Sequence, residues 1–201
     1  MAGRYSYLGV KVQENKSKTI MEIGTWNGQN TKRMTAAAIQ SNNLFFEERL
    51  GVVYYGFDVW EQMDKKLMDL EVSKWPPAKS EVESLLNSTG VTVNLIQGNT
   101  HETLPKFVED NKDLKIDFVF IDGGHSFETI ESDWDNVQKI IDENSVVIFD
   151  DYWYPPNGAE PTFGCNKVID ALDRDKWEVT ELPISDTFPL GRVHFVEVKL
   201  K

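Results

Sequence analysis

The chain is nearly without cysteine: Cys165 stands alone among 201 residues, so neither an intrachain disulfide framework nor a multi-cysteine metal site can be built from it. Basic residues are also short, with 21 Lys and Arg against 33 Asp and Glu and a formal net charge of −12. Such a surface repels a phosphate backbone or an anionic bilayer at long range, which sets nucleic acid and membrane aside as partners. No apolar run reaches the roughly 18 residues of a spanning helix, and the opening stretch MAGRYSYLGVKVQENKSK lacks the apolar segment of a secretory leader. A soluble, cytoplasmic protein is expected. Little precedes the first strand, so no accessory N-terminal substrate domain is expected either.

What is present is enough apolar material, 40% of the residues, for one sizeable core, and residues 1–201 read as a single domain. Short apolar runs recur at 19–23, 51–57, 91–96, 116–121 and 145–149, each too short for a helix and rich in β-branched or aromatic residues. Helical patterns separate them at 31–40, 80–88, 102–111 and 126–142, the last placing Phe127, Ile130, Trp134, Val137, Ile140 and Ile141 on one face. Alternating β and α with nearly continuous apolar strands implies a doubly wound α/β sheet, mostly parallel and covered on both faces. Ligands then bind beyond the carboxyl ends of the strands.

After residue 150 the pattern changes to a loop rich in Pro and Gly at 152–164, a helix at 166–174, and two strands around 177–184 and 193–199 that suggest an antiparallel hairpin. The connection at 59–88 is long and carries Pro76 and Pro77, which predicts two helical pieces and a lid-like insertion.

Strand one ends in MEIGTWNGQNT. Gly24 and Gly28 let the backbone approach a ligand, but a dinucleotide fingerprint needs glycine where Trp26 stands, which argues against a nicotinamide oxidoreductase. The arrangement E-x-G-x-x-x-G from Glu22 to Gly28 resembles motif I of the class I S-adenosylmethionine-dependent methyltransferases. That resemblance implies a seven-stranded sheet with a reversed last strand, a ribose role for Asp58 at the end of strand two, and an adenine contact for Asn99 after strand three.

The stretch DFVFIDGGHSF, residues 117–127, turns within two residues from a buried strand to an acid, two glycines and a histidine, and VVIFDDYW repeats the pattern with Asp150 and Asp151. Strands four and five are neighbours in this topology, so Asp122, Asp150 and Asp151 are expected to converge. Three carboxylates without counter-charge repel and protonate; a divalent cation resolves the conflict, and hard oxygen ligands favour Mg²⁺. These motifs resemble the metal-dependent O-methyltransferases that act on sugars, of the macrocin and mycinamicin type, and more distantly the catechol type. The resemblance implies Asp122, Asp150 and Asp151 as metal ligands, His125 as the base, and Glu22, Gly24, Gly28, Asp58, Asn99 and Asp122 around S-adenosylmethionine. The acceptor it implies is a small hydroxylated molecule, a sugar or sugar-containing compound first, with a catechol-like phenol or a non-catalytic cofactor-binding protein as alternatives. His101 and His194 read as structural, and Cys165 as an incidental thiol.

Overall fold

The computed structural model describes residues 3–44, 46–156, 163–189 and 191–201. Seven strands form one sheet in the order β3-β2-β1-β4-β5-β7-β6. The strands are β1 (Thr19–Ile23), β2 (Val53–Asp58), β3 (Thr92–Gln97), β4 (Phe118–Ile121), β5 (Val146–Tyr154), β6 (Trp177–Phe188) and β7 (Gly191–Leu200). β1 to β5 pair in parallel, whereas β7 runs antiparallel to both β5 and β6. The strand order reverses between β1 and β4, and at such a switch point the loops leave in opposite directions and open a crevice.

Successive residues of a strand face opposite sides, and both sides here are covered. Met21 and Ile23, Val119 and Ile121, and Val147 and Phe149 pack on one face with Leu104, Ile130, Trp134 and Val137. Ile20, Phe118, Phe120 and Ile148 pack on the other with Leu8, Val12, Met34, Val82 and Leu86. This two-sided burial explains why the strands read as unbroken apolar runs. Each large side chain so enclosed contributes about 1.5–3 kcal/mol.

The helices are α1 (Ser6–Asn15), α2 (Gln29–Ser41), α3 (Lys65–Leu70), α4 (Lys79–Asn87), α5 (Thr100–Asp110), α6 (Phe127–Val137) and α7 (Cys165–Asp170). α1 was not expected from the sequence: only Leu8 and Val12, one turn apart, are buried on it, and it lies against α2. The expected break in the connection after β2 is present, with α3 and α4 on either side of Pro76 and Pro77. α6 ends at Val137, earlier than its apolar pattern suggests, although Ile140 and Ile141 remain buried. β5 continues to Tyr154, through residues expected to be loop, by means of a register shift between Phe149 and Tyr152. The hairpin link is likewise shorter than expected, because β6 extends to Phe188 and β7 begins at Gly191. Residues 157–162 of the Pro- and Gly-containing loop lie outside the described residues.

Candidate active site

The end of β1 and the end of β4 touch. Gly24 has φ +89°, and a Cβ there would stand 2.0 Å from the Asp122 carbonyl oxygen, so the close approach requires glycine. Gly28, at φ +71°, opens α2 and backs onto Val82 and Leu86. Glu22 is fully buried. Its Oε2 accepts from the hydroxyls of Thr31 at 2.7 Å and Tyr54 at 2.6 Å, and burial pushes its pKa up to about 7. Glu22 therefore braces the loop from behind through Thr31 and Tyr54.

Asp58, at the carboxyl end of β2, accepts the main-chain N–H of Trp26 at 2.6 Å on Oδ2 and that of Trp60 at 3.0 Å on Oδ1. The carboxylate keeps acceptor capacity for a further donor. Burial raises its pKa, with the N–H groups of Trp60, Trp26 and Val59 working against the rise. Asn99 caps α5 through its Oδ1, which accepts from the His101 N–H at 3.0 Å. Its single side-chain nitrogen carries two hydrogens and can donate to a ligand.

Past β4, Gly123 and Gly124 turn the chain so tightly that a Cβ on Gly124 would lie 2.5 Å from Glu71 Oε2. Glu71 comes from the end of α3 in the insertion and is buried. Its carboxylate accepts from the Ser126 N–H at 2.8 Å, the Ser126 hydroxyl at 2.9 Å and the Thr129 hydroxyl at 2.7 Å. Its carbonyl accepts from His125 Nδ1. The other ring nitrogen, Nε2, stands 2.6 Å from Asp151 Oδ2. A carbonyl only accepts, so Nδ1 carries hydrogen, and one more proton lies between Nε2 and Asp151. Burial opposes the imidazolium, but Asp151, the Glu71 carbonyl and Asp150 outweigh it and raise the His125 pKa. Asp151 takes φ +58°, a left-handed conformation for a non-glycine residue, within the β5 register shift.

Asp150 points at the N-terminal segment. Arg4 grips it side-on, Nε to Oδ1 at 2.9 Å and Nη2 to Oδ2 at 3.0 Å. The Tyr5 hydroxyl donates to Oδ2 at 2.7 Å, and the Asp151 N–H donates to Oδ1 at 2.6 Å. These donors make four hydrogen bonds to the carboxylate, and the Asp122 side chain meets it as well. Arg4 also meets Asp186 at 2.7 Å and reaches Asp151 at 3.5 Å. Among the described residues Asp122 has no such cationic partner; burial, and then the charges of Asp150 and Asp151, push its pKa well above the usual carboxylate range.

The three acids expected to converge thus do so, but the premise that they lack counter-charge is corrected: Arg4 and His125 supply it. Among the described residues no group of three or more His, Cys, Asp or Glu side chains is disposed to hold a metal ion. With Asp150 saturated and Asp151 engaged by His125, this donor set does not fit a divalent cation.

A cavity of about 630 Å³ opens over these groups. Gly24, Asp58, Asn99, Asp122, His125 and Asp151 line it, as do Arg4, Tyr5 and Glu71. Asp150, only 3% exposed, lies behind Arg4. Of the remaining histidines, His101 sits in the first turn of α5 with Nε2 3.2 Å from the Thr129 hydroxyl, and His194 is buried in β7. Arg4, Tyr5 and Glu71 were not anticipated from the sequence. The one usable signal for Arg4 was the unbalanced acid at two neighbouring strand ends.

No curated protein matches the chain in sequence. Among solved structures, an O-methyltransferase from Bacillus cereus crystallised with SAH is 20% identical, with a TM-score of 0.63 over 98% of this chain and 80% of that one. CalS11, described as a TDP-rhamnose 3'-O-methyltransferase of calicheamicin biosynthesis, is 13% identical, with a TM-score of 0.61 over 95% and 77%. A putative rRNA methylase from Clostridium thermocellum is 12% identical, with a TM-score of 0.66 over 100% and 99%. At these identities the likeness is one of fold. A family model described as a methyltransferase domain matches residues 21–152, well over half of the chain, from β1 through the acids of β5. On that match the chain belongs to the methyltransferase-domain family.

Proposed function

We propose that the protein is an S-adenosylmethionine-dependent O-methyltransferase acting on a small hydroxylated acceptor, with a sugar hydroxyl as the first choice. The observation that carries this reading is that one cavity brings the β1 and β2 ends, with Gly24 and Asp58, against the His125–Asp151 pair. Its volume lies within the range of about 300–1,000 Å³ usual for small-ligand sites. Gly24 and Asp58 would hold the cofactor, with Asp58 accepting from ribose hydroxyls and Asn99 meeting the adenine edge.

When bound, S-adenosylmethionine supplies a methyl group on a positively charged sulfur; transfer to a hydroxyl oxygen forms an O–C bond, breaks the C–S bond and releases the hydroxyl proton. The chain's part is to receive that proton. The Glu71 carbonyl fixes hydrogen on Nδ1, which makes Nε2 the accepting atom. The His125–Asp151 pair acts once the proton it shares at rest has left. Mg²⁺, implied by the sequence resemblance, is given no step, because Arg4 fills the Asp150 acceptor sites.

The insertion at 59–88 serves as a cover in this reading: Met63, Leu67, Val72 and Pro76 line the cavity from that side. A nucleic acid acceptor, which the name of the Clostridium neighbour suggests for that protein, meets an unfavourable charge of −12 here. The cytoplasmic setting expected from the sequence stays part of the proposal.

Mass-spectrometric detection of methyl transfer to a panel of sugar and catechol acceptors tests the reading. A methylated sugar supports it, and a methylated catechol alone moves the acceptor to a phenol. A protein that binds the cofactor but methylates nothing in the panel would be a binding protein and not this enzyme.

A further inference from the structure

Arg4 precedes α1 and lies outside the segment that matches the methyltransferase-domain model. It is 5% exposed, yet it lines the cavity where β4 and β5 end. The guanidinium is held from every side. Asp150 takes it bidentately, Asp186 binds Nη1, and the Tyr5 and Phe195 rings lie 4.6 and 5.5 Å from its Cζ. A fork held by planar carboxylate geometry and aromatic faces is fixed in place in a way a flexible ammonium would not be. A divalent ion entering here would have to strip Asp150 of two guanidinium bonds and leave a buried cation with Asp186 in place of its bidentate partner.

We propose that Arg4 occupies the place a divalent cation would take between the β4 and β5 acids, so that the protein neither binds Mg²⁺ at this site nor needs it for turnover. The turnover half of this inference rests on the methyl-transfer reading; the binding half does not. Arg4 is a positioning residue. Its single positive charge is shared between Asp150 and Asp186, which leaves Asp151 to pair with His125, and it stands in the wall where an acceptor oxygen would lose its proton.

The test uses Mn²⁺ as the probe, followed by electron paramagnetic resonance on the full chain, alongside turnover in excess chelator. Wild type is expected to bind no Mn²⁺ at this site at millimolar ion and to keep full turnover in chelator. Arg4→Ala frees the Asp150 oxygens and is expected to gain Mn²⁺ binding that Asp150→Asn then removes, a change that loss of packing alone would not produce. Arg4→Lys, which keeps a charge, should remain free of Mn²⁺ and covers the case in which Arg4→Ala does not fold. Wild-type Mn²⁺ binding that is lost in Asp150→Asn, or turnover that chelator abolishes and Mg²⁺ restores, would overturn the assignment. Absence of methyl transfer with the site still free of Mn²⁺ would reject the enzymatic reading and leave the Arg4 assignment standing.

Discussion

Glu71 accepts the Ser126 main-chain N–H at 2.8 Å and the Ser126 hydroxyl at 2.9 Å, across 55 positions of sequence. The insertion between β2 and β3 is thereby bonded to the cap of α6, and His125 stands one residue before that cap. Removing the carboxylate in Glu71→Ala takes away three hydrogen bonds, including the one from Thr129. The loss should cost about 2–3 kcal/mol, since bonds to a charged group are worth roughly 1.5–3 each and do not add fully. Thermal unfolding should show a fall of several degrees. Turnover should fall more than cofactor affinity, because Asp58 and Gly24 are not on this latch.

Asp58→Ala should weaken S-adenosylmethionine and its demethylated product alike, by roughly ten- to a hundredfold, the worth of one or two hydrogen bonds to a carboxylate. Asp58→Asn should do so with less disturbance, because an amide oxygen can still accept from one of the two backbone N–H groups of Trp26 and Trp60. Calorimetry reads both. No heat from wild type with either ligand, on folded protein, would remove the cofactor assignment.

His125→Ala should slow the chemical step by ~10²–10⁴-fold with a sugar acceptor. A catechol, being more acidic, should suffer less. Because the pair must lose its shared proton before it can accept another, and because the His125 pKa is raised, the acid limb of single-turnover rate against pH should lie above the ordinary imidazole range. An unchanged rate with the limb intact would take His125 out of the mechanism.

Stability should fall as pH rises from mildly acidic to neutral. Glu22 has its pKa raised from 4.5 to about 7, and Asp133, buried in α6, is raised from 3.8 to about 7, in both cases mainly by burial. A folded-state pKa above the unfolded one means the folded chain holds more protons in that window. The associated stability is therefore full below the unfolded values and lost as pH climbs through about 7. Urea midpoints across pH should show that slope. Glu22→Gln should flatten part of it, while Asp133 and the other groups with raised values, Asp58, Asp122 and His125, keep the rest.

The sheet was legible because its strands are buried on both faces: Ile20 and Met21, or Phe118 and Val119, sit on opposite sides and are equally enclosed, so periodicity collapses into short apolar runs. The acids at the strand ends were legible for the same reason, since a charge straight after such a run marks the place where the chain leaves the core. Arg4 was not, because its partner Asp150 is 146 positions away and a lone arginine before a weakly patterned helix carries no local signal. Glu71 was hidden similarly, in an insertion whose role depends on where α3 ends. The run of β5 to Tyr154 escaped because Asp150 and Asp151 read as the end of the strand, whereas a register shift carries it past them.

The contact between Gly24 and the Asp122 carbonyl ties the two halves of the crevice together like the pivot of a pair of shears. Nothing larger than hydrogen fits at that point, so neither loop can be displaced without pushing the other. Gly24→Ala is then not a local change in the nucleotide loop: it moves Asp122 and, through Gly123 and Gly124, the ring of His125. Evolution or engineering that alters the cofactor side of this crevice must retune the proton-accepting side in the same step.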